Sequence, residues 1–256
     1  MKKLLLFTLT AAAFAVGTNA YALIANDNGG NYGGGWTNGA NGGSGFGAWS
    51  ISANGGTGGA AGNFIGDPAS AGISGMSASS FALYANTNGT GASVDVDRAF
   101  TSALSVGDVF SFQWSINFDS GSGGNKGFNL YTGTPGVGQI VNVNNAGSSA
   151  ITFNGTDIGF GYGTAAMTWT FTQVSSSSLS LTVNDRDGAG TFTTNLTGLS
   201  GPVNSFRFYA FAMQAGDSAQ PYFNNLSVVP EPSTYALLAL SAAGLAGYAS
   251  RRRARK

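Results

Sequence analysis

With no His and no Cys among its 256 residues, this chain has few ways to do chemistry. Ser-His-Asp and Cys-His nucleophile systems are excluded, and so are nearly all zinc sites, which draw on His or Cys. Aspartate is what remains: residues 23–229 hold ten Asp and no Glu. A glycan hydrolase would need two carboxylates flanking the scissile bond. Asp95 and Asp97 are the nearest approach to such a dyad, because residues two apart on a strand share a face and lie about 7 Å from each other. The same spacing serves a solvated strand face that discourages edge pairing, and that reading is preferred. A second constellation is Asn184-Asp185-Arg186-Asp187-Gly188. Oxygen ligands at alternate positions before a Gly match the start of a calcium loop, with Asp185 and Asp187 as candidate metal ligands. No acidic residue closes the pattern, so a hairpin turn is the better account. No cofactor is expected, and calcium stays a candidate.

Aromatic rings offer another kind of site, since a ring face can pack on a pyranose. Trp114 and Trp169 fall in phase with apolar faces and belong to a core. Trp36 and Tyr162 sit in Gly-rich loops and are the candidates for exposed, ligand-binding rings.

The elements that must carry these residues read as β throughout. Residues 26–62 are rich in Gly and Asn, which taken alone suggests a linker. They also contain Tyr32, Trp36, Phe46 and Trp49, and linkers seldom carry such side chains. Short strands and tight turns are expected instead, with the best strand at 46–51. Phe110, Phe112, Trp114, Ile116 and Phe118 alternate with polar residues, which predicts a strand over 109–118 with one face in a core. Met167, Trp169 and Phe171 repeat the pattern, as do Leu179, Leu181 and Val183. Asp187-Gly188 before Thr191-Phe192-Thr193 is a hairpin signal. Further strands are expected at 81–84, 92–100, 128–131, 206–213 and 222–229. Sequons at Asn88, Asn154, Asn195 and Asn225 read as turns and strand ends. No stretch of the body shows a sustained helical period. The expectation is all-β: an antiparallel two-sheet β-sandwich of jelly-roll type, with twelve to fourteen short strands.

Charge narrows the partners. Against its ten Asp, the body carries only Arg98, Lys126, Arg186 and Arg207, a net charge of −6. That composition argues against nucleic acid. Without Cys, stability has to come from packing rather than disulfides.

Both ends read as export signals. Met1-Lys2-Lys3 precedes an apolar run over 4–16, and Asn19-Ala20-Tyr21-Ala22 ends in the small-x-small pattern that signal peptidase reads. Cleavage is placed after Ala22, with Ala20 as the near alternative, so residues 1–22 form a signal peptide. At the other end, Pro230-Glu231-Pro232 leads into residues 233–250, which hold no charge, and then into Arg251-Arg252-Arg253-Ala254-Arg255-Lys256. As a helix, 233–250 would be roughly 27 Å long, marginal for a hydrocarbon core of about 30 Å. The basic stop formed by Arg251, Arg252, Arg253, Arg255 and Lys256 would hold the C-terminus in the cytoplasm.

Val229-Pro230-Glu231-Pro232-Ser233-Thr234, a short apolar helix and an Arg-rich end, in that order, resemble the PEP-CTERM sorting signal of exported proteins of Gram-negative bacteria. The resemblance implies export through the inner membrane and a transient membrane anchor. It further implies recognition by exosortase, which is thought to cleave such tails, and association with exopolysaccharide and biofilm matrix. The expected organisation is thus 1–22 signal peptide, 23–228 β-sandwich and 229–256 sorting signal. The expected function is structural or adhesive at the cell surface or in the matrix, without catalysis. Alternatives are a jelly-roll carbohydrate-binding module, calcium-assisted or not, and more distantly a glycan hydrolase.

Overall fold

The computed structural model describes residues 23–86, 91–119, 124–146, 150–184, 186 and 190–230. The signal peptide with Ala20 and Ala22, the tail from Glu231 and Pro232 through Lys256, and the expected calcium ligands Asp185 and Asp187 lie outside the described residues. Among the described residues, no helix is long and apolar enough to cross a membrane.

The first strands are β1 (Ala25–Asp27), β2 (Ser50–Asn54), β3 (Ala60–Gly66), β4 (Ser80–Asn86) and β5 (Ser93–Ala99). Next come β6 (Asp108–Ser115), β7 (Asn125–Tyr131), β8 (Gln139–Ala146), β9 (Ile151–Phe153) and β10 (Thr156–Asp157). The last are β11 (Met167–Ser175), β12 (Ser178–Asn184), β13 (Thr191–Thr197), β14 (Ser205–Phe211) and β15 (Tyr222–Pro230). They form two antiparallel sheets. The first has the order β13-β12-β11-β6-β15-β4-β3, with β1 added beside β15; the second runs β10-β9-β8-β7-β14-β5-β2. The chain passes from β5 in the second sheet to β6 in the first and back to β7, and again from β13 to β14 to β15. This exchange between layers is what makes the sandwich jelly-roll-like.

Period-two alternation aims the aromatic rings between the sheets. In β6, Phe110, Phe112 and Trp114 are buried, and they stand in register with Phe171, Trp169 and Met167 of β11. From the second sheet, Phe208 stacks on Phe223 with centroids 3.8 Å apart, and Phe128 meets Phe112 and Trp169 edge-on at 4.8 Å. Such offset and edge contacts add to area burial. The expected strand over 109–118 stops at Ser115, so Phe118 falls out of phase and is 52% exposed. The expected strand at 46–51 is also displaced. Phe46 makes only an isolated bridge to Phe100, and β2 begins at Ser50.

The Gly/Asn-rich stretch is packed rather than extended, and a buried ion pair anchors it. Arg98 of β5 pairs with Asp27 of β1, both side chains fully buried. Tyr32 donates its hydroxyl to Asp27 at 2.5 Å and accepts from the Trp49 indole at 2.9 Å. Arg98 also donates to the Gly47 carbonyl and to Asn41, and its guanidinium lies over the rings of Phe46 and Trp49 at 4.9 and 4.8 Å. A buried charge needs this completeness of partners. Glycine permits the approach: a Cβ on Gly43 would stand 2.2 Å from the Asn26 carbonyl oxygen.

Candidate functional site

The outward positions of the second sheet form two polar rows across its strands. One runs Ser50, Asp97, Arg207, Asn129, Asn142 in register from β2 to β8; the other runs Ser52, Asp95, Tyr209, Gly127, Asn144, Thr152 from β2 to β9. Their inward neighbours on β5, β14, β7 and β8 (Val94, Val96, Phe206, Phe208, Phe128, Leu130, Val141 and Val143) are buried, so the core fixes where each polar side chain points.

Arg207 is the centre of the face. Its Nε and Nη2 donate to the two oxygens of Asp97 at 2.6 and 2.9 Å, a bidentate fork. Its Nη1 lies 3.2 Å from Asp95. The side chains of Arg207, Asp95 and Asp97 are 25, 39 and 14% exposed, so the cluster is open to solvent. Partial burial raises the Asp95 carboxyl above its ordinary value; Arg207 opposes the shift and Asp97 adds to it. Arg207 is held still more firmly protonated, chiefly by its hydrogen bonds to Asp97.

Beside this cluster the amides hold one another in place. Asn142 donates to Asn129 at 2.8 Å, and Asn129 to the Tyr131 hydroxyl at 3.1 Å. Asn144 donates to Asn125 at 2.9 Å. Tyr209 lies within 3.0 Å of the Val143 carbonyl and 3.1 Å of Asn144 Oδ1, both acceptors for its hydroxyl. Burial pushes its phenol up. Gly127 permits the close approach of β8, since a Cβ there would meet the Val143 carbonyl oxygen at 1.9 Å and the Tyr209 hydroxyl at 3.1 Å. The face thus presents fixed amides, phenols, carboxylates and one guanidinium. Such a mixture suits neutral polar ligands with many hydroxyls.

The sequence-based site residues fare unevenly. Asp95 and Asp97 do share a face, but β5 is an interior strand between β14 and β2, so they clamp Arg207 rather than guard an edge. Trp36, expected as an exposed ring, is 4% exposed. It packs edge-on against Trp49, Phe81 and Phe223 and is a core residue, because the Gly-rich loop folds its ring inward. Tyr162 is half-buried at the far end of the sandwich. It accepts from Lys126 at 2.8 Å and donates to the Ala146 carbonyl at 3.2 Å. Lys126 itself is buried against Asp119. Asp185 and Asp187 lie outside the described residues; the strands on either side, β12 and β13, pair antiparallel with Asn184 opposite Thr191. No group of three or more metal-ligating side chains occurs among the described residues. Arg207, Asn129, Asn142, Asn144 and Tyr209 were not singled out from the sequence. Their signal is alternation with Phe206, Phe208, Phe128, Val141 and Val143, which gives a face but no partners.

Among solved structures, the chain is similar to a glycosyl hydrolase family protein from Mycobacterium fortuitum, with 15% identity, 70% of this chain and 90% of that chain covered, and a TM-score of 0.43. It is similar to the T. cruzi calreticulin globular domain at 10% identity, with 76 and 88% covered and a TM-score of 0.43. A lectin from Bauhinia forficata in complex with GalNAc matches at 10% identity, with 71 and 98% covered and a TM-score of 0.37. These are distant likenesses, and no function passes through them. No match is found among curated proteins. Residues 228–253 match the family model of the PEP-CTERM protein-sorting motif, and the chain therefore carries that motif, whose first residues, 228–230, are the end of β15.

Proposed function

We propose that this chain is an exported surface or matrix protein whose body is a non-catalytic, adhesive scaffold contacting exopolysaccharide. The motif at 228–253 implies export and sorting through the tail, with a transient membrane anchor before exosortase acts. Signal peptidase would act first, at Ala22. The observation that carries the reading of the body is the outer face of the second sheet, where Asp95, Asp97 and Arg207 stand beside ordered amides and Tyr209. Sugar hydroxyls both donate and accept, and a face that offers both kinds of partner at fixed positions can match them. Both carboxylates lie against one guanidinium, which supports ligand contact over an acid and a base of separated function.

Affinity electrophoresis of the purified full chain in gels containing neutral or acidic polysaccharides tests this, run with and without calcium. Retardation by at least one polysaccharide is expected. Arg207→Ala should weaken it about tenfold or more, since charge-assisted hydrogen bonds contribute about 1.5–3 kcal/mol each. No retardation by any polysaccharide in either condition rejects glycan contact.

A further inference from the structure

Large apolar side chains that remain exposed on the body gather at one end. Seven occur among the described residues: Leu23, Ile24, Val106, Phe118, Val137, Val174 and Phe211. Five of them surround the point where the tail departs. Ile24 donates its backbone N–H to the Val228 carbonyl at 2.9 Å. Val106 lies in the turn before β6, whose first residue Asp108 is paired with Pro230. Val174 follows Gln173, whose carbonyl accepts from the Gly107 N–H at 2.8 Å. Val137 sits in the β7–β8 turn, tied to the same end because Asn204 donates to Tyr131 and Leu104 donates to Val203, each at 2.8 Å. These five side chains are 45 to 64% exposed.

The surrounding loops are also free of charge. Segments 101–107, 132–138, 174–177 and 198–204 contain no Asp, Glu, Lys or Arg, although the body as a whole is acidic. A cleft of about 140 Å³ opens there, walled by Ile24, Phe100, Leu104 and Val228 and by Asp108, which is buried and accepts from the Ser105 N–H at 2.7 Å. Exposed apolar groups on an uncharged rim mark a surface that meets something apolar.

The chain itself identifies the occupant. β15 ends at Pro230, and the uncharged segment 233–250 begins three residues later. Three extended residues reach at most about 10 Å. While 233–250 is in the membrane, this end of the sandwich is held at the bilayer surface. We propose that the rim formed by Leu23, Ile24, Val106, Val137 and Val174 rests on that bilayer, with its valines in the headgroup–acyl boundary. The inference builds on the reading of 233–250 as a membrane helix. The short leash sets a high local concentration of lipid at the rim, so modest apolar area suffices to keep it docked. Docking would orient the body with its far end outward and its polar sheet face to the side.

The chain has no Cys, so single labelling sites can be introduced freely. The chain from Leu23 to Lys256, as signal peptidase would leave it, would be reconstituted into phosphatidylethanolamine–phosphatidylglycerol vesicles as Val106→Cys, Val137→Cys or Thr57→Cys. Each variant carries a polarity-sensitive fluorophore, and Thr57 lies in the exposed turn at the opposite end. Emission from 106 and 137 should shift to shorter wavelength and be quenched by spin-labelled lipid, with neither effect at 57. Resistance to carbonate extraction reports separately on the tail. A chain that resists extraction while 106 and 137 report water overturns the docked rim and leaves the membrane helix standing. A chain stripped by carbonate overturns both. Shielding of 106 and 137 that rises with protein density and escapes lipid quenchers assigns the rim to a second copy of the chain, and overturns the proposal.

Discussion

Arg98 and Arg207 are both paired with aspartate, yet their surroundings give them different roles. Arg98 and Asp27 are fully buried, so Arg98→Met strands a carboxylate in the core. That change should cost about 3–5 kcal/mol. Arg207 is partly exposed, and Arg207→Met should cost about 0–1 kcal/mol while removing the centre of the polar face. Urea unfolding of the two variants distinguishes them; similar losses would mean that the buried pair is not the anchor described. Trp36 follows the same logic. As a core ring it should cost about 3–5 kcal/mol when replaced by Ala, and polysaccharide retardation of the folded fraction should not change. The phenols make an alkaline prediction. Burial is the first cause that raises Tyr32, Tyr131, Tyr162, Tyr209 and Tyr222 above the ordinary value of 10.0. The folded state therefore keeps these groups protonated where the unfolded chain ionises. Their contribution is complete below about pH 10 and is lost as pH rises through the folded values. Lys126, lowered by burial, acts in the opposite sense as pH climbs toward its unfolded value of 10.5, one group against five. Tyrosinate absorbance above pH 10 should thus rise together with loss of β circular dichroism. Ionisation of all nine Tyr at pH 10 in a folded protein would contradict this.

At the seam between β7 and β8, Gly127 opposes Asn144 and lies beneath Tyr209. Gly127→Ala would place a methyl against the Val143 carbonyl, at a cost of about 1–3 kcal/mol as overpacking. Hydrogen exchange should show the β8 amides opening first. Exchange spread evenly over the sandwich would argue against a local effect. This seam also shows what could and could not be read from the chain. β6, β11 and β12 were legible because large apolar and small polar residues alternate without interruption. β8 was not, because Val141 and Val143 among three Asn look like a turn until neighbours on both sides cover them. The Gly/Asn-rich stretch was legible as non-linker from its aromatic residues. Where Trp36 points was not, because a loop folded over a core has no period. The polar face suffered most. Asp97 and Arg207 are separated by 110 positions, and only the pairing of β14 with β5 brings them together. Alternation assigns a face to each residue; register across a sheet decides its partners.

For the molecule as a whole, the junction between sandwich and tail sets a limit on processing. β15 lies inside the first sheet, paired with β6 along most of its length and with β1 and β4 on its other side. Its final residue, Pro230, is still in register with Asp108, and it is also the first residue of the Pro-Glu-Pro motif. Fold and sorting signal therefore overlap over residues 228–230, and no spare linker lies between them. A cut before Val228 would remove Leu226 and Val228 from the core or leave them without a strand to hold them there. Two such side chains are together worth about 3–6 kcal/mol, and the loss of β1's partner would add to that. Against a typical domain stability of about 5–15 kcal/mol, the product would be marginal or unfolded. A chain ending at Pro232 loses none of these contacts. Truncation after Pro232 should therefore leave the melting temperature of the body unchanged, and truncation after Phe223 should abolish cooperative melting. It follows that any folded product of processing must retain Val228, which intact-mass measurement of material recovered from the cell surface or medium will decide. A folded product ending before Val228 would show that β15 is dispensable and that the sheet closes without it.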